Sequence, residues 1–294
     1  MSFLGSLLSH KKTDPSDENF RPLFKMIVDV LGPEITTARD YEQKLLPALT
    51  LATRYFDEQI LTIPGPVAMT VSAYGRDAFL RRIFPEYGEI QIALGRSVEV
   101  KDVLPRLAAD GQPRACAMMG LRCRDRDQSP AAASVFADHT LGCVTASAAE
   151  TRAAIRLAAV RRVIGNYNAH LDKLRQKGKL LPEEWHIERA PDKQDGNAEK
   201  RHLIFDDFIY ADKELHPDNL LRGLVAWLER PFEHFRLAES GLVLAFGEHD
   251  GAAPVPLLLA ADRRRWMVVL VEFATDEGVL ALGAESRSHR YLLI

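Results

Sequence analysis

The chain has 294 residues, 47% of them apolar and 27% charged, and its formal net charge is −3. That length and composition belong to one large or two ordinary globular domains with a sizeable core, and they exclude a disordered or collagen-like chain. A net charge so close to neutral excludes a field of the whole molecule that draws in nucleic acid or an anionic membrane, so any such contact must come from a local patch.

The start, "MSFLGSLLSHKK", places its basic residues after a short apolar run, the reverse of a secretion signal, and residues 1–19 are expected to be a flexible tail. No stretch approaches the roughly 18 to 20 apolar residues of a membrane-spanning helix. The three cysteines, Cys116, Cys123 and Cys143, are odd in number and lack C-x-x-C spacing. They are expected to be reduced thiols of a cytoplasmic protein with no metal and no cofactor.

From Phe20 to about Ile63 the pattern is helical. Thr37, with Asp40 three residues on, is the expected N-cap, and Leu45, Leu49, Ala52, Phe56 and Ile60 form one apolar stripe. Pro47 falls inside the stripe and should kink or restart the helix, while "IPGPV" at 63–67 ends it. Short helices are expected around Arg76–Phe84 and Ser97–Ala108, with "EIQIAL" between them unassigned. Two β-like runs, 114–124 and 134–145, read as an antiparallel hairpin.

Ser147 and Glu150 then make an S-x-x-E capping box, which opens the strongest helix in the chain. Leu157, Val160, Ile164, Tyr167, Leu171 and Leu174 continue a seam begun at Ala153 at spacings of four and three, a surface for intramolecular packing or for a homodimer. Residues 148–180 also carry an excess of six positive charges, eight basic residues against Glu150 and Asp172. That excess suits an acidic partner or phosphates.

After Lys179 "EEWHIER" and "RHLIFDDFIY" read as strands, separated by a polar stretch without large apolar residues. The expected organisation is a tail at 1–19, a helical and hairpin domain at 20–177, a linker at 178–214 and an α+β antiparallel-sheet domain at 215–294. In the last, a helix opening at Pro217 buries Leu220, Leu221, Leu224, Trp227 and Leu228 and packs on a meander of "GLVLAFG", "VPLLLAA", "WMVVLVEF", "GVLALGA" and a terminal "RYLLI". The fold class is α+β.

Phosphate-loop, dinucleotide, zinc-helix and nucleophile-elbow motifs are absent from the sequence. In "SVFADHTLGCV", strand parity puts His139 and Cys143 on one face about 13 Å apart, too far for a nucleophile pair, so a histidine bonded to a neighbouring backbone group is expected. If alternate meander turns share one end, Arg263, Arg264, Arg265, Trp266, Arg287 and Arg290 form a basic rim suited to an anion or a partner. The leading expectation is a binding protein, regulatory or scaffolding, whose partner is a protein. The alternatives are an enzyme or sensor for a phosphorylated or anionic small molecule at the basic rim, and a nucleic-acid-binding accessory protein.

Overall fold

The computed structural model describes residues 20–124, 135–188, 213–246, 251–259, 263–284, 290–292 and 294. It is an α+β protein whose contacts divide it into two compact units, residues 1–53 with 163–231 and residues 54–162 with 232–294. Each unit is thus built from two separate stretches of chain.

The first unit is helical in its described residues. Helix α1 (Arg21–Leu31) buries Leu23, Met26, Ile27 and Leu31, and a 3-10 turn at Pro33–Thr37 follows it. Thr37 does not cap the next helix. Its hydroxyl donates to the Glu34 carbonyl, Asp40 takes a positive φ of 56°, and α2 (Tyr41–Leu61) starts one residue later and runs on through Pro47. The later part of α7 (Ala148–Glu188) and helix α8 (Pro217–Leu228) complete the unit. Tyr167 of α7 donates to the Leu220 carbonyl at 2.9 Å and meets Trp227 with the rings tilted by 58°, and Gly223 is small because the Tyr167 hydroxyl lies against it.

Two expectations fail along α7. "EEWHIE" is helical, since α7 continues to Glu188; "RHLIFDDFIY" lies outside the described residues. The buried stripe at the start of the helix is Thr151, Ile155, Ala159 and Val163, while Leu157 is exposed; Val160, Ile164, Tyr167 and Leu171 are buried within the single chain and Leu174 is half-buried. A strict heptad drifts around an α-helix, so a seam read as 4-3-4-3 tracks the buried face over only part of its length.

The second unit is organised by one sheet in the order β3-β2-β6-β5-β4, with a short β1 (Val67–Ala68) parallel to β6. Strands β2 (Arg114–Arg124) and β3 (Val135–Thr145) form the expected hairpin; β4 (Leu237–Phe246), β5 (Gly251–Leu259) and β6 (Arg265–Ala274) form the meander. Because β2 pairs with β6 from Arg114↔Ala274 to Leu121↔Met267, hairpin and meander are one sheet. Central β6 reads "WMVVLV" because both of its faces are covered, which removes the usual alternation of apolar and polar residues.

On one face Ala115, Ala117, Met119 and Leu121 join Met267, Val269, Val271 and Phe273 under α3 (Val71–Arg76), α4 (Ala78–Ile83), α5 (Tyr87–Arg96) and α6 (Val98–Ala109). On the other, Met118, Trp266, Val268 and Leu270 are equally buried. The ends of α2 and α7 nearest this sheet run antiparallel: Arg156 pairs with Asp57, and Arg152 donates to the Ile60 and Ile63 carbonyls. The capping box forms, with the Glu150 N–H on the Ser147 hydroxyl and the Glu150 carboxylate taking the Ala146 N–H.

"GVLALGA" is not a strand. It forms α9 (Thr275–Ala284), which follows β6 directly and docks on α5 and α6 through the Tyr87 hydroxyl, bonded to Glu277 at 2.7 Å, and through Gly278, which admits Leu104. "RYLLI" adds a single parallel bridge, Ser97↔Arg290, instead of a strand.

Candidate functional site

The site grows from the irregularity of β3, an edge strand. Between Gly120↔Thr140 and Arg122↔Ala137, and again between Cys116↔Thr145 and Met118↔Gly142, β3 carries one more residue than β2. Each is a β-bulge, and each has a non-glycine residue at positive φ: Asp138 at 56° and Cys143 at 54°. Such a conformation costs about 1–2 kcal/mol for an ordinary L residue and less for Asp, so something must hold it.

At Cys143 the holder is Glu99 of α6, whose carboxylate takes the N–H groups of Cys143 and Val144. Burial raises the Glu99 pKa, and those two N–H groups pull the other way. Ser97, fully buried, donates to the Ala93 carbonyl and accepts the Leu141 N–H. The outer edge of β3 is thereby closed by side chains from the α5–α6 junction, which blocks pairing with another chain.

At Asp138 the holders are two guanidinium groups. Arg122, across the hairpin, bonds one carboxylate oxygen at 2.7 Å, and Arg290 bonds the other. Arg290 is itself fastened by its backbone, its N–H on the Arg96 carbonyl at 2.8 Å and its carbonyl on the Val98 N–H at 3.0 Å. Two residues later Leu292 fills the space left by Gly120 and Gly142: a Cβ at Gly120 would collide with it, and one at Gly142 would sit tightly against it.

The bulge breaks strand parity and turns His139 toward α4 and α5. Its Nε2 bonds the Ile83 carbonyl at 2.8 Å and its ring stacks on Phe84 at a centroid distance of 4.3 Å. A carbonyl only accepts, so Nε2 carries the proton and Nδ1 presents a lone pair. Burial pushes the His139 pKa down; the Ile83 bond and the Asp138 charge oppose this without cancelling it. The expectation of a histidine bonded to a neighbouring backbone group holds.

Between these elements lies an open cleft of about 310 Å³. Glu89, Ile92, Ala93 and Arg96 line it from α5, Phe136, Asp138 and His139 from β3, and Arg290 closes it. Ile92, Ala93 and Phe136 supply its apolar groups, and its charges are of both signs, Arg96 and Arg290 beside Glu89 and Asp138. Among the described residues Nδ1 of His139 makes no hydrogen bond.

Of the rim expected from the sequence, Trp266 is taken by the core. Arg263, Arg264 and Arg265 are exposed where β6 begins, and Arg287 lies outside the described residues. Trp266 is only 1% exposed and packs over Gly120, so it belongs to the core. Arg265 is on β6 and Arg290 bonds β3, two strand spacings or about 10 Å apart across β2. Four of the eight basic side chains of α7 have partners within the chain: Arg152 donates to the Ile60 and Ile63 carbonyls, Arg156 pairs with Asp57, Arg162 donates to the Leu259 carbonyl, and Arg175 pairs with Asp172.

Among the described residues no three His, Cys, Asp or Glu side chains gather to hold a metal ion, and no described helix is long and apolar enough to cross a membrane. No family model, curated protein or solved structure matches the chain. Geometry therefore carries the functional argument. What the sequence missed was Asp138 and Arg96, and its only signal was an acidic residue inside an apolar β run, a frequent mark of a bulge.

Proposed function

We propose that this is a binding protein that holds a small polar molecule in the cleft between α5 and β3. The observation that supports this is an open cleft of mixed polar and apolar lining in which His139 is held through its ring on the Ile83 carbonyl and Arg290 through its own N–H and carbonyl. Binding is favoured over covalent catalysis by the state of the nearby nucleophiles. The Ser97 hydroxyl has both roles taken, and burial, helped by Glu99, raises the Cys143 pKa so that the thiol stays protonated. Cys116 is raised to about 11 by burial and Glu272.

The test is native mass spectrometry of the full chain prepared at low salt, beside an Ile92→Trp variant that fills the cleft without touching a polar group. Retained mass on the wild type that the variant loses supports the reading. Equal retention by both places the ligand elsewhere.

A second reading, contact with a partner protein, is favoured by the outer face of α9, where Val279 and Leu280 are 40% and 76% exposed. Leu280→Asp then abolishes capture of that partner and leaves cleft binding intact.

A further inference from the structure

We infer that the end of the sheet where β4 starts, β5 ends and β6 starts is a contact surface for an anionic membrane, with arginines on the lipid headgroups and Leu259 reaching the boundary between headgroups and acyl chains. The inference does not depend on the cleft, which lies at the opposite edge of the sheet.

Strand register assembles the surface. Leu259, the last residue of β5, pairs with Arg265, the first of β6, so the two side chains share a face. Leu237, the first residue of β4, pairs with Leu258, which sets Arg236 level with Leu259 on its other side. Arg236, Leu259 and Arg265 thus stand side by side, and two strand spacings put the arginines about 10 Å apart. Arg263 and Arg264 precede β6 at the same end, and Arg162 of α7 donates to the Leu259 carbonyl.

Both the charge and the apolar surface are open to a partner. All four of Arg236, Arg263, Arg264 and Arg265 are exposed, and the side chains of Arg236, Arg263 and Arg265 make no hydrogen bond or ion pair with any described residue. Against these four arginines the flanking segments bring two carboxylates: Asp262, outside the described residues, and Glu233, which already takes part in an interaction within the chain. Leu259 is 51% exposed, and Phe232, in the turn before β4, is 55% exposed.

Nucleic acid and anionic lipid both take arginines, and Leu259 distinguishes them. An aliphatic side chain one strand away from an arginine on each side cannot stack on a base. A lipid interface satisfies both groups, because it sets phosphate and carboxylate at the level of the guanidinium groups and hydrocarbon just beneath. Long arginine stems let the charges stay among the headgroups while the leucine goes deeper. Such a contact is peripheral and weakened by salt.

The experiment is sedimentation of the full-length protein with vesicles of phosphatidylcholine, with and without phosphatidylserine. The expected result is saturable binding to the vesicles that contain phosphatidylserine, lost as salt is raised, and none to phosphatidylcholine alone. Arg236→Gln and Arg265→Gln each lower partitioning about fivefold, the effect of one basic residue near an anionic surface, and with Arg263→Gln added the loss is about a hundredfold. Leu259→Ser weakens binding; Leu259→Trp strengthens it, and the added indole shifts its emission to the blue on phosphatidylserine vesicles. Urea unfolding of each variant shows that it is folded.

No binding to phosphatidylserine vesicles, or equal binding to both kinds, overturns the membrane. Binding that the triple arginine variant retains overturns this surface as the contact. If the triple variant instead loses binding to a duplex or single-stranded oligonucleotide, and phosphatidylserine vesicles bind neither protein, nucleic acid replaces the membrane. An unshifted emission from bound Leu259→Trp overturns the part given to Leu259.

Discussion

Strands β6 and β3 both flank β2, and they could hardly differ more. β6 pairs with β2 over eight consecutive positions without a bulge, and six successive side chains, Trp266 to Val271, are buried. β3 breaks register twice, carries two residues at positive φ, and satisfies its outer edge with Ser97 and Glu99. The regular strand supplies the core, and the irregular one supplies the cleft. A bulge re-aims a side chain, and at the margin of a sheet it can do so without disturbing the interior.

The largest expected effect tests the β6 half of this contrast. Trp266→Ala removes a fully buried indole and should cost about 3–5 kcal/mol in urea unfolding. A loss below about 1 kcal/mol means that β6 is not the core strand described here. Next comes the β3 edge: Glu99→Ala leaves the Cys143 and Val144 N–H groups without their acceptor and should cost about 2 kcal/mol. Its sharper readout is hydrogen exchange, accelerated at those two amides and unchanged along β6. Gly120→Ala, which forces a Cβ against Leu292 and Trp266, should cost a comparable 1–2 kcal/mol or so and loosen the C-terminal segment.

His139 gives a smaller effect with a defined sign. Its pKa is lowered in the folded protein, so the unfolded chain binds the proton more readily. The stabilisation is complete above the unfolded value, near 6.5, and is lost as pH falls through that value toward the lower folded one. His139→Gln should flatten this part of the stability profile measured from pH 7.5 to 5. An unchanged slope assigns the acid sensitivity to other groups. The smallest effect belongs to Asp138→Asn: the positive φ is tolerated by Asn, and the two ion pairs lost are partly solvated, so the expected change is under about 1 kcal/mol. A much larger loss makes Asp138 part of the core instead of a clamp at the cleft.

The elements that were legible in the chain are those whose signal is local and dense. Ser147 and Glu150 announce the start of α7 because two side chains satisfy orphan N–H groups within one turn, and the structure forms those bonds. "WMVVLVEF" reads as a strand by its length and β-branched content. The segments misread are those whose local preference is weak. "GVLALGA" has the apolar content of a strand, yet Gly278 and Glu277 are spent on docking a helix against α6 and α5. "EEWHIE" simply prolongs α7. Trp266 looked like a rim residue because it follows three arginines, but one step along a strand turns a side chain to the opposite face.

By itself, then, the order of residues determined the α+β class, the hairpin, three of the five expected meander strands and the helix that follows Ser147, since each depends on periodicity and caps spanning about ten residues. Only the tertiary structure decided that hairpin and meander share one sheet, that β3 is bulged at Asp138 and Cys143, and that Arg290 meets an aspartate 152 positions earlier in the chain. Register shifts and long-range ion pairs leave no period in a sequence. They are settled by which backbone groups remain unpaired once the core has closed, and the cleft stands where those groups found their partners.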